Sequence, residues 1–190
     1  MGFPDTMTKV QGPINHKAVI AYCYQDKSYK KALELAKKLY KKDKRKHTGV
    51  DYLSHPLTVA SLLLEVGVSG EALVVSALQD TLTRTSLKES TIRTEFGDGV
   101  GDQVVALTPV KGADGALDLE AYKAKLAAAG PDIQTIKLAS ILDEVCAIPA
   151  GKLSAEADFI NASADLAGVL TAGNAEISRR VQAALRRARA

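Results

Sequence analysis

Two neighbouring segments, Leu57 to Val66 and Ala72 to Leu78, carry apolar side chains around most of a helical circumference. A helix without a polar face is stable only when other elements surround it, so these two segments must lie inside a helical assembly. The rest of the chain offers suitable partners. Between Tyr29 and Tyr40 the residues Ala32, Leu33, Leu35, Ala36, Leu39 and Tyr40 recur at three and four, with lysines between them. Val100, Val104, Val105 and Leu107 keep the same period after Gly99, as do Leu119, Tyr122 and Leu126. Behind Pro131 run Ile133, Ile136, Leu138, Ile141, Leu142 and Val145. No stretch alternates convincingly with the period of a strand, so the expectation is an all-α bundle of about eight to ten helices.

Local signals set provisional boundaries. Gly67 is a helix stop and Ser69 a cap for the next helix; Pro56 sits where a first helical residue would, ending a loop at His55. Ser86 with Glu89 reads as a capping box for a helix closing near Phe96-Gly97, and later helices are expected after Ser154 and Asn174. Lys111 to Ala116, with two glycines and an aspartate, has the composition of an exposed loop. The apolar stretch from Ala18 to Tyr24 packs an N-terminal element onto the bundle or onto a partner. No repeat or clear linker divides the chain, which gives an N-terminal extension over residues 1–27 and one domain over 28–190.

With 46% hydrophobic and 25% charged residues the chain is expected to fold. A net charge of +3 is well below that of a dedicated DNA-binding domain, although it suits a pocket for anionic ligands. Arg179, Arg180, Arg186, Arg187 and Arg189 make the last helix basic, which reads as a solvated face before a nucleic-acid or membrane surface. Two cysteines, Cys23 and Cys146, are too few for a disulfide framework and lack zinc-site spacing, and Cys146 has no histidine near it in sequence to activate a thiol. Met1 to Pro13 lacks a basic region followed by an apolar stretch, and no apolar run reaches the roughly 18 residues of a membrane span. A soluble, cytoplasmic protein is expected.

Arg45-Lys46-His47-Thr48-Gly49, followed by Tyr52-Leu53-Ser54-His55-Pro56-Leu57-Thr58-Val59-Ala60, resembles the RKSG…Y…HP…VA signature of RelA/SpoT hydrolase domains and their small single-domain relatives. In register with it, Ala77 to Thr85 resembles LHDTVEDT, and Ile136 to Leu142 resembles IKLADRL; Phe96-Gly97 and Val104 to Thr108 also fall in place. The resemblance covers about residues 28–188. It implies an HD-type helical bundle, an octahedral manganese-type ion held by imidazole and carboxylate ligands, and cleavage of the 3′-pyrophosphate of guanosine tetraphosphate.

Position by position, the resemblance also implies a damaged centre. The ligand positions fall on Tyr40, on His55, on the doublet Gln79-Asp80 and on Ser140, leaving His55 and Asp80 as relic ligands. The glutamate-aspartate pair that activates water is replaced by Thr83 and Arg84, so no catalytic residue is intact and a guanidinium stands where a carboxylate stood. Manganese binding is then expected to be lost or weak. Positions lining the nucleotide pocket are Arg45, Lys46, Thr48, Lys137 and Glu144. Structural readings stand beside these: His55 as a hydrogen-bonded residue at a helix start, Arg45 and Lys46 as part of a solvated charge run, and Asp80 paired with Arg84 one turn later.

The expected function is therefore a degenerate hydrolase domain that holds a guanosine nucleotide or another phosphorylated small molecule, or acts as a homodimer or through a regulatory protein partner. The alternative is an active metal-dependent guanosine-3′,5′-bis(diphosphate) 3′-pyrophosphohydrolase, or a related nucleotide phosphohydrolase, whose site is rebuilt from Asp80, His55 and acids such as Asp143 or Glu144.

Overall fold

The computed structural model describes residues 15–190, and their regular elements are all helical. In chain order these are α1 (His16–Cys23), α2 (Lys27–Leu39), α3 (Ser54–Glu65), α4 (Glu71–Leu78), the single turn α5 (Thr81–Arg84), α6 (Glu89–Phe96), α7 (Asp98–Leu107), α8 (Leu119–Ala127) and α9 (Pro131–Cys146). Two short 3₁₀ turns, Ala150–Lys152 and Ser154–Glu156, lead into α10 (Ala157–Val169) and α11 (Ala175–Arg189). Ten of these helices have eight residues or more, so the all-α expectation holds.

The two helices without a polar face take the interior. α4 is buried from Ala72 to Leu78, and α3 buries His55, Pro56 and the run from Thr58 to Leu63. α9 lies across both and also meets α7, α8, α10 and α11. Leu138, Ile136, Leu142 and Val145 of α9 are wholly buried, and each such side chain contributes roughly 1.5–3 kcal/mol of apolar transfer. Glycine at 173 lets the α10–α11 turn approach α9 closely, where a Cβ would lie 2.6 Å from Leu138 Cδ1 and 3.2 Å from the Gln134 carbonyl carbon.

Several helix ends differ from the sequence expectation. α3 begins at Ser54, two residues before Pro56, which is tolerated because a first-turn N–H has no intrahelical acceptor to lose. The cap of α4 is Gly70, at φ 66°, and not Ser69. The Ser86–Glu89 capping box does not form: the N-cap of α6 is Lys88, while Glu89 accepts from Arg93 Nε at 2.8 Å. Because the helix starts at Glu89, that residue is its first and not the third after a Ser86 cap, so the reciprocal contacts of a box cannot form. At α11 the cap is Asn174 as expected, accepting from the N–H groups of Glu176 and Ile177 at 3.0 and 3.2 Å. α10 starts at Ala157, after a 3₁₀ turn that begins at Ser154.

α1 packs on α3 through Val19, with Asn15 N–H donating to Ser61 Oγ at 2.8 Å and Gly70 N–H donating to the Tyr22 hydroxyl at 2.9 Å. The first part of the 1–27 extension, and the Met1–Pro13 stretch read for a leader, lie outside the described residues. On α11, Arg180 makes a two-pronged contact to Glu65 of α3 at 2.9 and 3.1 Å, and Arg179 pairs with Glu176. Among the described residues no helix is long and apolar enough to cross a membrane.

Candidate functional site

The segment between α2 and α3 folds back on itself. Arg45 N–H donates to the Val50 carbonyl and Gly49 N–H to the Arg45 carbonyl, both at 2.9 Å, and Tyr52 N–H donates to the Asp43 carbonyl at 3.0 Å. Gly49 closes this hairpin at φ 70°, a left-handed conformation that glycine adopts without strain. Consecutive side chains consequently point to opposite sides. Arg45 turns in toward α9 with 12% of its side chain exposed, whereas Lys46 turns out and is 73% exposed.

The inward arginine reaches Asp143. Its NH2 lies 2.6 Å from Asp143 Oδ2 and its NH1 donates to Oδ1 at 3.2 Å, a two-pronged contact on a carboxylate that is 2% exposed. The same Oδ2 is 2.6 Å from Nδ1 of His55, so one buried carboxylate binds both a guanidinium and an imidazole. Burial alone would raise the Asp143 pKa, but the hydrogen bonds and charges of His55 and Arg45 outweigh it and hold the carboxyl below its ordinary range. For His55, burial disfavours the imidazolium, yet Asp143, then Asp80 and Glu144, favour it more strongly and its pKa is raised.

The other imidazole nitrogen, Nε2, faces Gln79 Nε2 and Ser140 Oγ, both at 3.3 Å, and Asp80 Oδ2 at 3.5 Å. Asp80 in turn accepts from the Tyr52 hydroxyl at 2.8 Å. Tyr40 stacks edge-on against Tyr52, with centroids 4.9 Å apart, in a small buried cluster with Ala36. Burial and the nearby Asp80 keep its phenol protonated far above the ordinary range. Of the other ligand positions of the resembled motif, Gln79, Asp80 and Ser140 thus meet His55 directly and Tyr40 lies behind Tyr52; the side chains are a phenol, an imidazole, an amide with a carboxylate, and a hydroxyl. No group of three or more His, Cys, Asp or Glu side chains able to hold a metal ion occurs among the described residues.

The expected Asp80–Arg84 pair is not formed. Asp80 points inward to Tyr52 and His55, while the Arg84 guanidinium crosses the Tyr52 ring at 3.8 Å and grips Asp43 through Nε at 2.7 Å and NH2 at 2.9 Å. α5 is only one turn long, so the two side chains leave it in different directions and the four-residue spacing brings no contact. Thr83, the other replaced position, donates to the Asp80 carbonyl at 3.0 Å within its own turn.

A cleft of about 220 Å³ opens beside this centre, between the 43–52 hairpin and the start of α10. Arg45, Lys46, Arg84, Glu144 and Phe159 are among the residues that line it. Lys46 bridges the cleft to Glu156 at 2.7 Å, so it is not simply solvated. Lys137 and Thr48 do not line the cleft. The Lys137 ammonium lies 5.6 Å from the Tyr122 ring centroid; burial disfavours its charge, but Tyr122, Glu144 and Asp80 favour it and its pKa is raised. Thr48 Oγ1 is buried without a hydrogen-bond partner among the described residues. Cys146 is buried at the end of α9, where burial and the neighbouring Asp143 push its thiol up to about 12.

Sequence reasoning missed what Asp143, Asp43 and Glu156 do, because each partner lies forty residues or more away along the chain. For Asp143 a signal did exist: a carboxylate set among Ile141, Leu142 and Val145 must be matched by buried donors wherever it faces the core.

A model of the HD-domain family matches residues 32–155 of this chain. A guanosine-3′,5′-bis(diphosphate) 3′-pyrophosphohydrolase of Aquifex aeolicus is 34% identical over 94 residues, covering 50% of this chain and 13% of that protein. A GTP pyrophosphokinase of Streptomyces antibioticus is 34% identical over 116 residues, covering 59% of this chain and 14% of that protein. The chain thus spans 13 to 14% of the length of these curated relatives. Among solved structures, that of a metazoan ortholog of SpoT, which hydrolyzes ppGpp and plays a role in starvation responses, superposes with a TM-score of 0.73. The match covers 85% of this chain and 96% of that one at 17% identity, a likeness of fold. With signature, helix order and superposition in agreement, the chain belongs to the HD-domain family and has RelA/SpoT-type proteins among its homologues.

Proposed function

We propose that this chain is a catalytically degenerate RelA/SpoT-type domain, a regulatory module whose cleft holds a phosphorylated guanosine nucleotide without cleaving it. The observation that carries this reading is the placement of Arg84: a guanidinium, locked on Asp43 and stacked on Tyr52, occupies a position where the resembled motif has a carboxylate. With its charge committed to Asp43, this side chain leaves the centre one anion short of the motif, which weakens the attraction for a divalent cation there. Neither Thr83 nor Arg84 can accept a proton from an attacking water.

The donor set does not fit the family's ion either. His55 and Asp80 are the two conventional ligands; Gln79 presents its amide nitrogen to His55, the Tyr40 phenol stays protonated, and Ser140 contributes a neutral hydroxyl. Lys46 and Arg84 on the cleft, held by Glu156 and Asp43 at its surface where a phosphate could compete for them, with Phe159 in the same lining, support recognition of phosphate and base. Titration of the metal-stripped protein with guanosine tetraphosphate is expected to show binding, and incubation with Mn²⁺ is expected to leave the nucleotide intact. Release of pyrophosphate over repeated turnovers would overturn the proposal, and absence of nucleotide binding would move the function to a protein partner.

One observation favours the alternative of an active hydrolase with a rearranged site. The Glu144 carboxylate lines the cleft and makes no hydrogen bond or ion pair among the described residues. Mn²⁺-dependent cleavage that disappears in Glu144→Gln would identify it as the acid that rebuilds the centre.

A further inference from the structure

The elements a metal would clamp in this family are held here by something else. The four ligand positions lie at the end of α2, on α3, at the α4–α5 junction and on α9, so an ion at their centre would tie those elements together. Three side chains from the same neighbourhood form a continuous chain, two of them buried and the third largely so: Asp143 from α9, His55 from α3 and Arg45 from the hairpin after α2. The sequence separations they span are 98 and 88 residues.

We infer that the Arg45–Asp143–His55 triad has taken over the structural task of the metal, so that the fold of this domain is independent of divalent cations. The inference rests on the reading of the centre as metal-free. A carboxylate on Nδ1 is also how a metal-ligating imidazole is oriented, so that contact alone does not distinguish the two cases. The distinction lies at Nε2. Nε2 is enclosed by side chains of the fold itself, Gln79 Nε2 and Ser140 Oγ at 3.3 Å each and Asp80 Oδ2 at 3.5 Å. Arg45 supplies the second half of the argument. Its positive charge lies directly on the Asp143 carboxylate, giving that anion a buried counter-charge through a two-pronged contact, as a nearby cation would. The triad thus provides both cross-linking and charge balance with side chains alone.

The experiment compares thermal unfolding of the full chain in EDTA and in excess Mn²⁺, together with nuclear magnetic resonance of the histidine rings. The two unfolding temperatures are expected to agree within about 1 °C, and one equivalent of Mn²⁺ is expected to leave the His55 ring signals unbroadened. Asp143→Asn, which strands a buried guanidinium, should lower the unfolding temperature by roughly 10 °C in either condition. Where that variant does not fold, Arg45→Lys, which keeps the charge and loses the second prong, should lower it by roughly 4 °C. Stabilisation by Mn²⁺ of several degrees, selective broadening of His55 at one equivalent, or unchanged stability in both variants would overturn the inference. Nucleotide cleavage is not read in these measurements, so a metal-independent fold and a non-cleaving site succeed or fail separately.

Discussion

Asp143 is buried against two cationic partners, and its ionisation is therefore coupled to folding. In the unfolded chain its pKa is near 3.8, and in the fold it is lower. A carboxyl depressed in this way contributes stability that is fully present above the unfolded value and is lost as pH falls through the folded one. Chemical denaturation across about pH 6 to pH 2 should show the acid limb of the stability curve flattened in Asp143→Asn relative to the parent; a superimposable limb would mean that other carboxyls dominate acid unfolding. The residue is also a measure of what sequence can disclose. Asp143 and Glu144 are neighbours on one helix, 100° apart around its axis, and spacing alone does not say which faces α3 and which the cleft. Arg84 shows the same limit from the other side. Its local spacing to Asp80 suggested a partner, but the fold supplied Asp43, 41 residues away.

At the scale of elements, the interior helices were legible and their ends were not. α3 and α4 follow from runs of apolar residues too broad for an amphipathic surface helix, and α9 from the apolar spacing behind Pro131; the burial of Leu62, Leu73, Leu138 and Ile141 agrees with these readings. Ends depend on a few local groups: α6 starts at Glu89, so no Ser86 cap forms, and a glycine of positive φ stands as the cap in place of Ser69. The hairpin carrying Arg45 was legible only as a charged loop with a glycine, because the alternation of its side chains needs a backbone hydrogen-bond pattern that composition does not encode. Leu138 is wholly buried and also abuts the glycine turn before α11, so Leu138→Ala should destabilise the protein by about 2–5 kcal/mol in urea denaturation. A loss below about 1 kcal/mol would show that this part of α9 relaxes around the missing volume.

For the whole molecule, the question is whether the bundle still places its helices as an active centre requires. Five substitutions address it together: Tyr40→His, Gln79→His, Thr83→Glu, Arg84→Asp and Ser140→Asp. Mn²⁺-dependent release of pyrophosphate from guanosine tetraphosphate is expected to appear in the combined variant; a folded but silent variant would show that the helices have moved apart since the ligands were lost. The fold class and the family were legible from the sequence because they depend on periodicity and on motifs in register over most of the chain. The identities of the bonded partners were not, since they arise only when distant segments meet. The central position of α9 has one more consequence. This helix touches α3, α4, α7 and α8, yet it is translated after all of them. Until residue 146 has left the ribosome, the faces of these helices that α9 covers have no partner, and the nascent chain must carry those apolar faces unprotected or under chaperone cover while the earlier helices pack only on one another.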